Sequence, residues 1–116
     1  MKPSPFRPIG ASGPYPRWLV SLRRLPRAGV YFIRDARSKE LLYVGMSAGR
    51  LYGTLTRHFQ TWGQDRTGCH YRARYNRAEV EVSVQITLPR NAHRVEEANI
   101  LKLEPRDNIK IPKPPF

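Results

Sequence analysis

The sequence has one cysteine, three histidines and nine acidic residues among 116 positions. A lone Cys69 closes no intrachain disulfide, so a disulfide framework is excluded. No apolar run approaches the roughly 20 residues that span a bilayer; the longest, such as 41–44, have the length of a strand. The first residues lack the charged-then-apolar pattern of a secretion signal. The expectation is a soluble protein of a reducing compartment, the cytoplasm, with no membrane partner. The common phosphate cradles of nucleotide cofactors are missing too: there is no Gly-x-x-x-x-Gly-Lys-Ser/Thr loop and no Gly-x-Gly-x-x-Gly turn. Cys69, His58, His70 and His93 do not follow zinc-site spacing, and adjacent Cys69 and His70 are poorly placed to share one tetrahedral ion.

The shortage of acid makes the chain strongly basic. Lys and Arg total 21 against nine acids, a formal charge of +12, and most of the basic residues are Arg. Arginine presents a planar fork of donors that matches phosphate oxygens, where lysine offers a point charge. A polyanionic partner follows, and nucleic acid is the commonest. DNA is the expected partner, with RNA left open. Hydrophobic residues at 40% suffice for a folded core, and the length fits one domain.

Residues 1–28 stand apart as a basic, Pro-rich N-terminal arm without a single acid. Its end, Arg17–Leu25, reads as a short helix with Trp18, Leu19, Leu22 and Leu25 on one face. Such an arm either follows a phosphate backbone or packs its Trp on the core. The domain proper is 29–108, and 109–116 form a Pro-rich tail. Residues 29–34 and 41–45 are β-branched and aromatic, and the polar turn between them predicts an antiparallel hairpin. A helix is predicted over 51–62 from apolar residues at 51, 52, 55, 59 and 62. Residues 79–88 alternate, with Val80, Val82, Val84 and Ile86 on one face, and predict a half-buried strand ended by Pro89. A last helix is predicted over 92–103, capped by Asn91 and stopped by Pro105. The fold class is α/β in the broad sense (α+β): a small antiparallel or mixed three-stranded sheet flanked by helices.

Two tripeptides carry the chemistry. Gly29-Val30-Tyr31 opens the first strand and Tyr43-Val44-Gly45 closes the second. Arg57-His58 follows on a helix, Glu96 and Glu97 lie on the last helix, and Pro105-Arg106-Asp107-Asn108 comes after it. In this order the chain resembles the GIY-YIG nuclease family over residues 29–108. The resemblance implies a metal-dependent endonuclease that hydrolyses DNA phosphodiester bonds. It implies Glu96, nine residues before Pro105, as the carboxylate that holds Mg²⁺ or Mn²⁺. Glu97 points about 100° away around the helix. It also implies that one of Tyr31 and Tyr43 takes a proton from the attacking water while the other orients water or phosphate. Tyr31 is the favoured base. A phenol ordinarily titrates near 10, so that role needs nearby positive charge.

Arg57 is the expected partner of phosphate charge, with Arg50 as an alternative from the preceding loop. His58 is a second proton acceptor or a phosphate contact, and Asn108 holds the site loop by hydrogen bonds. One position departs from the family pattern: Thr54 stands where many members carry Arg one turn before the helix His. A catalytically degenerate nucleic-acid-binding module is therefore the alternative reading. Arg50, Arg66, Arg72, Arg74 and Arg77 are the expected nucleic-acid-binding residues, with Tyr71 and Tyr75 either stacking on bases or filling the core. A chain this short leaves sequence specificity to a dimer or a partner protein.

Overall fold

The structure is a computed structural model and describes residues 2–23, 27–60 and 74–108. Three β-branched segments form the expected strands: β2 (Ala28–Asp35), β3 (Leu41–Ser47) and β4 (Val80–Thr87). A fourth, β1 (Arg7–Pro8), comes from the N-terminal arm and pairs with β4. The sheet runs β1-β4-β2-β3 with every pair antiparallel, so the expectation of three strands falls one short. β2 lies between β3 and β4 and is buried along most of its length.

The β2–β3 turn is set by Asp35, whose carboxylate accepts from the backbone N–H of Ser38 and Arg37. Those bonds hold the Asp35 carboxyl below its ordinary range. Lys39 takes the left-handed conformation that closes the turn (φ 65°).

The helices are shorter, or start earlier, than the sequence suggests. α1 (Arg17–Val20) gives way to a single 3₁₀ turn over Ser21–Arg23, where the Ser21 hydroxyl donates back to the Trp18 carbonyl. Leu25 lies outside the described residues. α2 (Leu51–Thr56) likewise tightens into a 3₁₀ turn over Arg57–Phe59. Gly53, Thr54 and Thr56 are poor helix formers, and the Thr56 hydroxyl competes by bonding the Tyr52 carbonyl at 2.9 Å. α3 (Pro89–Leu103) begins at Pro89, which opens the helix instead of only ending the strand. A proline suits the first helical position because its missing N–H would have no partner there. Asn91 is consequently inside the helix and not its cap; its side-chain oxygen accepts from Arg94. The helix ends as expected before Pro105, with Glu104 left-handed.

The sheet separates two apolar layers. On one face, Tyr31 and Ile33 of β2 and Val80, Val82 and Val84 of β4 pack with Leu19, Leu51, Leu55 and Phe59. On the other, Val30, Phe32 and Val44 meet Val95 and Ile100 of α3. Ile9 is fully buried in the first layer. Burying such a side chain contributes about 2 kcal/mol, enough to tie the arm to the domain. Arg77 fixes the same segment by donating to the carbonyls of Ile9, Gly10 and Gly13. The outer edge of β3 is covered by the chain after α3, where the N–H groups of Arg106 and Asp107 bond Leu41 and Leu42. Among the described residues, no helix is long and apolar enough to cross a membrane.

Candidate active site and nucleic-acid interface

Alternation along β2 sends Tyr31 to the face covered by α2, directly across from Gly45 of β3. The lack of a side chain at Gly45 is what admits the phenol: a methyl group there would run into the hydroxyl end of the Tyr31 ring. Gly29 is constrained differently, because a methyl group would meet the Gln85 backbone carbonyl. Both tripeptide glycines thus answer a close approach.

Tyr31, Tyr43 and His58 come together. The Tyr31 hydroxyl and His58 Nε2 are hydrogen-bonded at 2.7 Å. The His58 ring centroid lies 4.9 Å from that of Tyr43 and 5.4 Å from that of Tyr31. Tyr31 is 2% exposed and His58 6%, whereas Tyr43 is half-buried. His58 reaches inward because the 3₁₀ turn after α2 turns residues 58 and 59 to the core while Arg57 stays exposed. The His58 carbonyl accepts from the N–H groups of both Arg74 and Tyr75, which fastens that turn.

Burial, with a smaller contribution from the Arg74 charge, depresses the His58 pKa to about 4. At neutral pH the imidazole is therefore uncharged. Its Nδ1 is buried without a hydrogen-bond partner among the described residues. The Arg74 guanidinium lies 5.9 Å from the Tyr43 ring centroid, within reach of a cation–ring attraction.

Asn108 acts from the other edge of β3. Its side-chain oxygen accepts from Val44 N–H at 2.8 Å and its amide donates to the Val44 carbonyl at 2.9 Å. Val44 sits between Tyr43 and Gly45, so Asn108 positions the strand that carries them. Tyr75, buried beside His58, donates to Asp107 at 2.6 Å. Burial and that bond raise the Tyr75 pKa. Its ring fills the core and offers no free face like that of an exposed stacking aromatic. The Tyr75–Asp107 link joins segments 32 residues apart and has no signal in the sequence pattern.

Glu96 and Glu97 differ as their helical positions require. The Glu96 side chain is 12% exposed and that of Glu97 is 57%. His93 lies between them, 3.7 Å from Glu96 and 3.4 Å from Glu97. Glu96 is the inward-turned carboxylate of α3, the helix packed on the face opposite the tyrosine layer. Among the described residues, no three of His, Cys, Asp and Glu gather as a metal cage. A single carboxylate nevertheless suits a cation that keeps most of its water, as Mg²⁺ does.

The expected phosphate-binding arginines separate. Arg50 and Arg57 line a groove of about 580 Å³ together with Thr54 and Arg23. Arg74 is exposed beside Tyr75. Arg77 commits three donors to the arm and stacks over Tyr15, so it presents charge more than hydrogen bonds. Arg66 and Arg72, with Cys69, His70 and Tyr71, lie outside the described residues. Sequence reasoning missed Arg23 and Arg27 as individual groove residues. The basic character of the arm was the available signal, but their position against α2 depends on packing. No family model and no curated protein matches this chain.

Proposed function

We propose that the protein is a metal-dependent endonuclease that hydrolyses DNA phosphodiester bonds in the manner of the GIY-YIG family. The observation that carries this reading is the convergence of Tyr31, Tyr43 and His58, distant in sequence, around a glycine that makes room for a phenol. A hairpin needing only packing aromatics would have no use for a buried imidazole whose Nδ1 has no partner among the described residues.

The burial pattern favours Tyr43 over Tyr31 as the base in this reading. An imidazole held near 4 is a poor acceptor for a phenol proton, so the Tyr31–His58 bond positions and does not transfer. Tyr43, half-buried and with the Arg74 guanidinium 5.9 Å from its ring, is the phenol assigned here as base. On the family resemblance Glu96 would hold Mg²⁺ or Mn²⁺, which when bound would stabilise charge on the phosphate oxygens; its helix packs on the other sheet face from the tyrosine layer, so Glu96→Gln tests whether it serves the same site. Arg57 and Arg50 neutralise phosphate, and Asn108 keeps Tyr43 in register. The protein is to be incubated with duplex, branched and single-stranded DNA, with Mg²⁺, with Mn²⁺ and with neither. Cleavage only with metal is the expected result. Binding without cleavage of any substrate would leave the degenerate binding module as the correct reading.

A further inference from the structure

Segments far apart in the chain close a circuit around Tyr43. Tyr75 donates its backbone N–H to the His58 carbonyl at 3.0 Å and its hydroxyl to Asp107 Oδ2 at 2.6 Å. Asp107 in turn donates its own N–H to the carbonyl of Leu42, the residue before Tyr43, at 2.8 Å. The Tyr43 ring then meets the His58 ring, with 4.9 Å between centroids, and the circuit is closed. One carboxylate thus joins the strand that carries Tyr43 to the turn that carries His58. Asn108, the next residue, does a separate job: it binds Val44 on β3 itself, whereas Asp107 reaches a different segment.

The link is strong where the sheet is weak. β3 is the last strand of the sheet, and its outer side meets the short run 106–108 instead of a full strand. The Tyr75–Asp107 bond has the short length of a hydroxyl donating to a charged carboxylate. Arg106 orients that carboxylate, its Nε donating to Oδ1 at 2.8 Å and its second guanidinium nitrogen to Oδ2 at 3.0 Å. Tyr75 is 9% exposed and the Asp107 side chain 16%, so water competes little for the bond. Arg74 is fastened by the same device. It precedes Tyr75, its N–H shares the His58 carbonyl, and its guanidinium lies by the Tyr43 ring.

We propose that Asp107 is a positioning residue for Tyr43: through Tyr75 it holds β3 at a fixed distance from the His58 turn, and so sets the Tyr43 ring against His58 and beside Arg74. The chemical consequence rests on the proposed function, which makes Tyr43 the base; the geometric claim does not. A reacting group displaced by a fraction of an ångström to an ångström loses rate out of proportion to the stability lost.

The test compares wild type, Tyr75→Phe, Asp107→Ala, the double variant and a control, Leu19→Ala, whose buried side chain belongs to α1 and to none of these bonds. Nuclear Overhauser contacts between the Tyr43 and His58 rings are read without DNA or metal; single-turnover cleavage and DNA affinity are read with them. Both single variants are expected to weaken the ring contacts and to slow cleavage about tenfold, with affinity changed less than about twofold. The double variant should be no slower than the slower single one, because both remove the same bond. Leu19→Ala should lower the unfolding midpoint and leave ring contacts and rate as in wild type. Tyr75→Phe keeps its ring in the core, so it decides the matter even where Asp107→Ala does not fold. Ring contacts unchanged in Tyr75→Phe would overturn the proposal, as would an equal loss of contacts in Leu19→Ala. If wild type cleaves nothing, the nuclease reading fails and the ring contacts still decide the role of Asp107. If wild type cleaves and Tyr75→Phe keeps both contacts and rate, that role fails and the nuclease reading stands.

Discussion

The two sides of the turn after α2 handle polarity in opposite ways. At His58 and Tyr31 the polar groups are buried and bonded to each other, and the imidazole is uncharged at neutral pH. One residue earlier, Arg57 opens into a solvent-filled groove shared with Arg23 and Arg50. In the first region a charge would lose its hydration, so burial sets the chemistry. In the second, charge stays hydrated and costs little, and salt screens it. The contrast teaches that pH should act on the cluster and salt on the groove.

The sharpest form of that contrast is the pH dependence of stability. The folded His58 pKa lies near 4 and the unfolded one near 6.5, so the unfolded chain binds the proton first as pH falls. Stability linked to His58 is fully present above about pH 6.5 and is lost progressively as pH drops toward 4, up to roughly 3 kcal/mol. Urea unfolding between those limits should reveal it, and His58→Gln should flatten that part of the profile. Added salt should change it little, because desolvation is its main cause.

A smaller break is Gly45→Ala. The added methyl displaces the Tyr31 ring from the sheet and from His58, at a cost of about 1–3 kcal/mol. Denaturant midpoints give the size, and the near-ultraviolet signal of the tyrosines should change with it. Smallest is Asn108→Ala, which removes both bonds to Val44 for about 1 kcal/mol. Faster exchange of the Val44 amide is the local signature, with amides of β4 exchanging as before.

Much of this was legible before any coordinates. The alternation of Val80, Val82, Val84 and Ile86 marks β4, β-branched and aromatic residues mark β2 and β3, and all three strands form where those signals fall. The difference between Glu96 and Glu97 follows from helical rotation alone. What stayed hidden depends on contacts between distant segments. Nothing in Arg7-Pro8 signals a strand, because a two-residue edge has no period; it forms because β4 offers unpaired backbone. The same holds for Arg77, an exposed-looking arginine whose partners are carbonyls some 65 residues away. The deeper burial of Tyr31 than of Tyr43 depends on where His58 lands after a helix that ends early.

Single-turnover cleavage of a labelled duplex by wild type, Tyr43→Phe and Glu96→Gln, each at saturating protein with binding measured separately, tests the central reading most directly. The expected result is metal-dependent cleavage by wild type and a loss of about a hundredfold or more in both variants, with DNA still bound. Cleavage by either variant at the wild-type rate, or none by wild type under any metal, would contradict it.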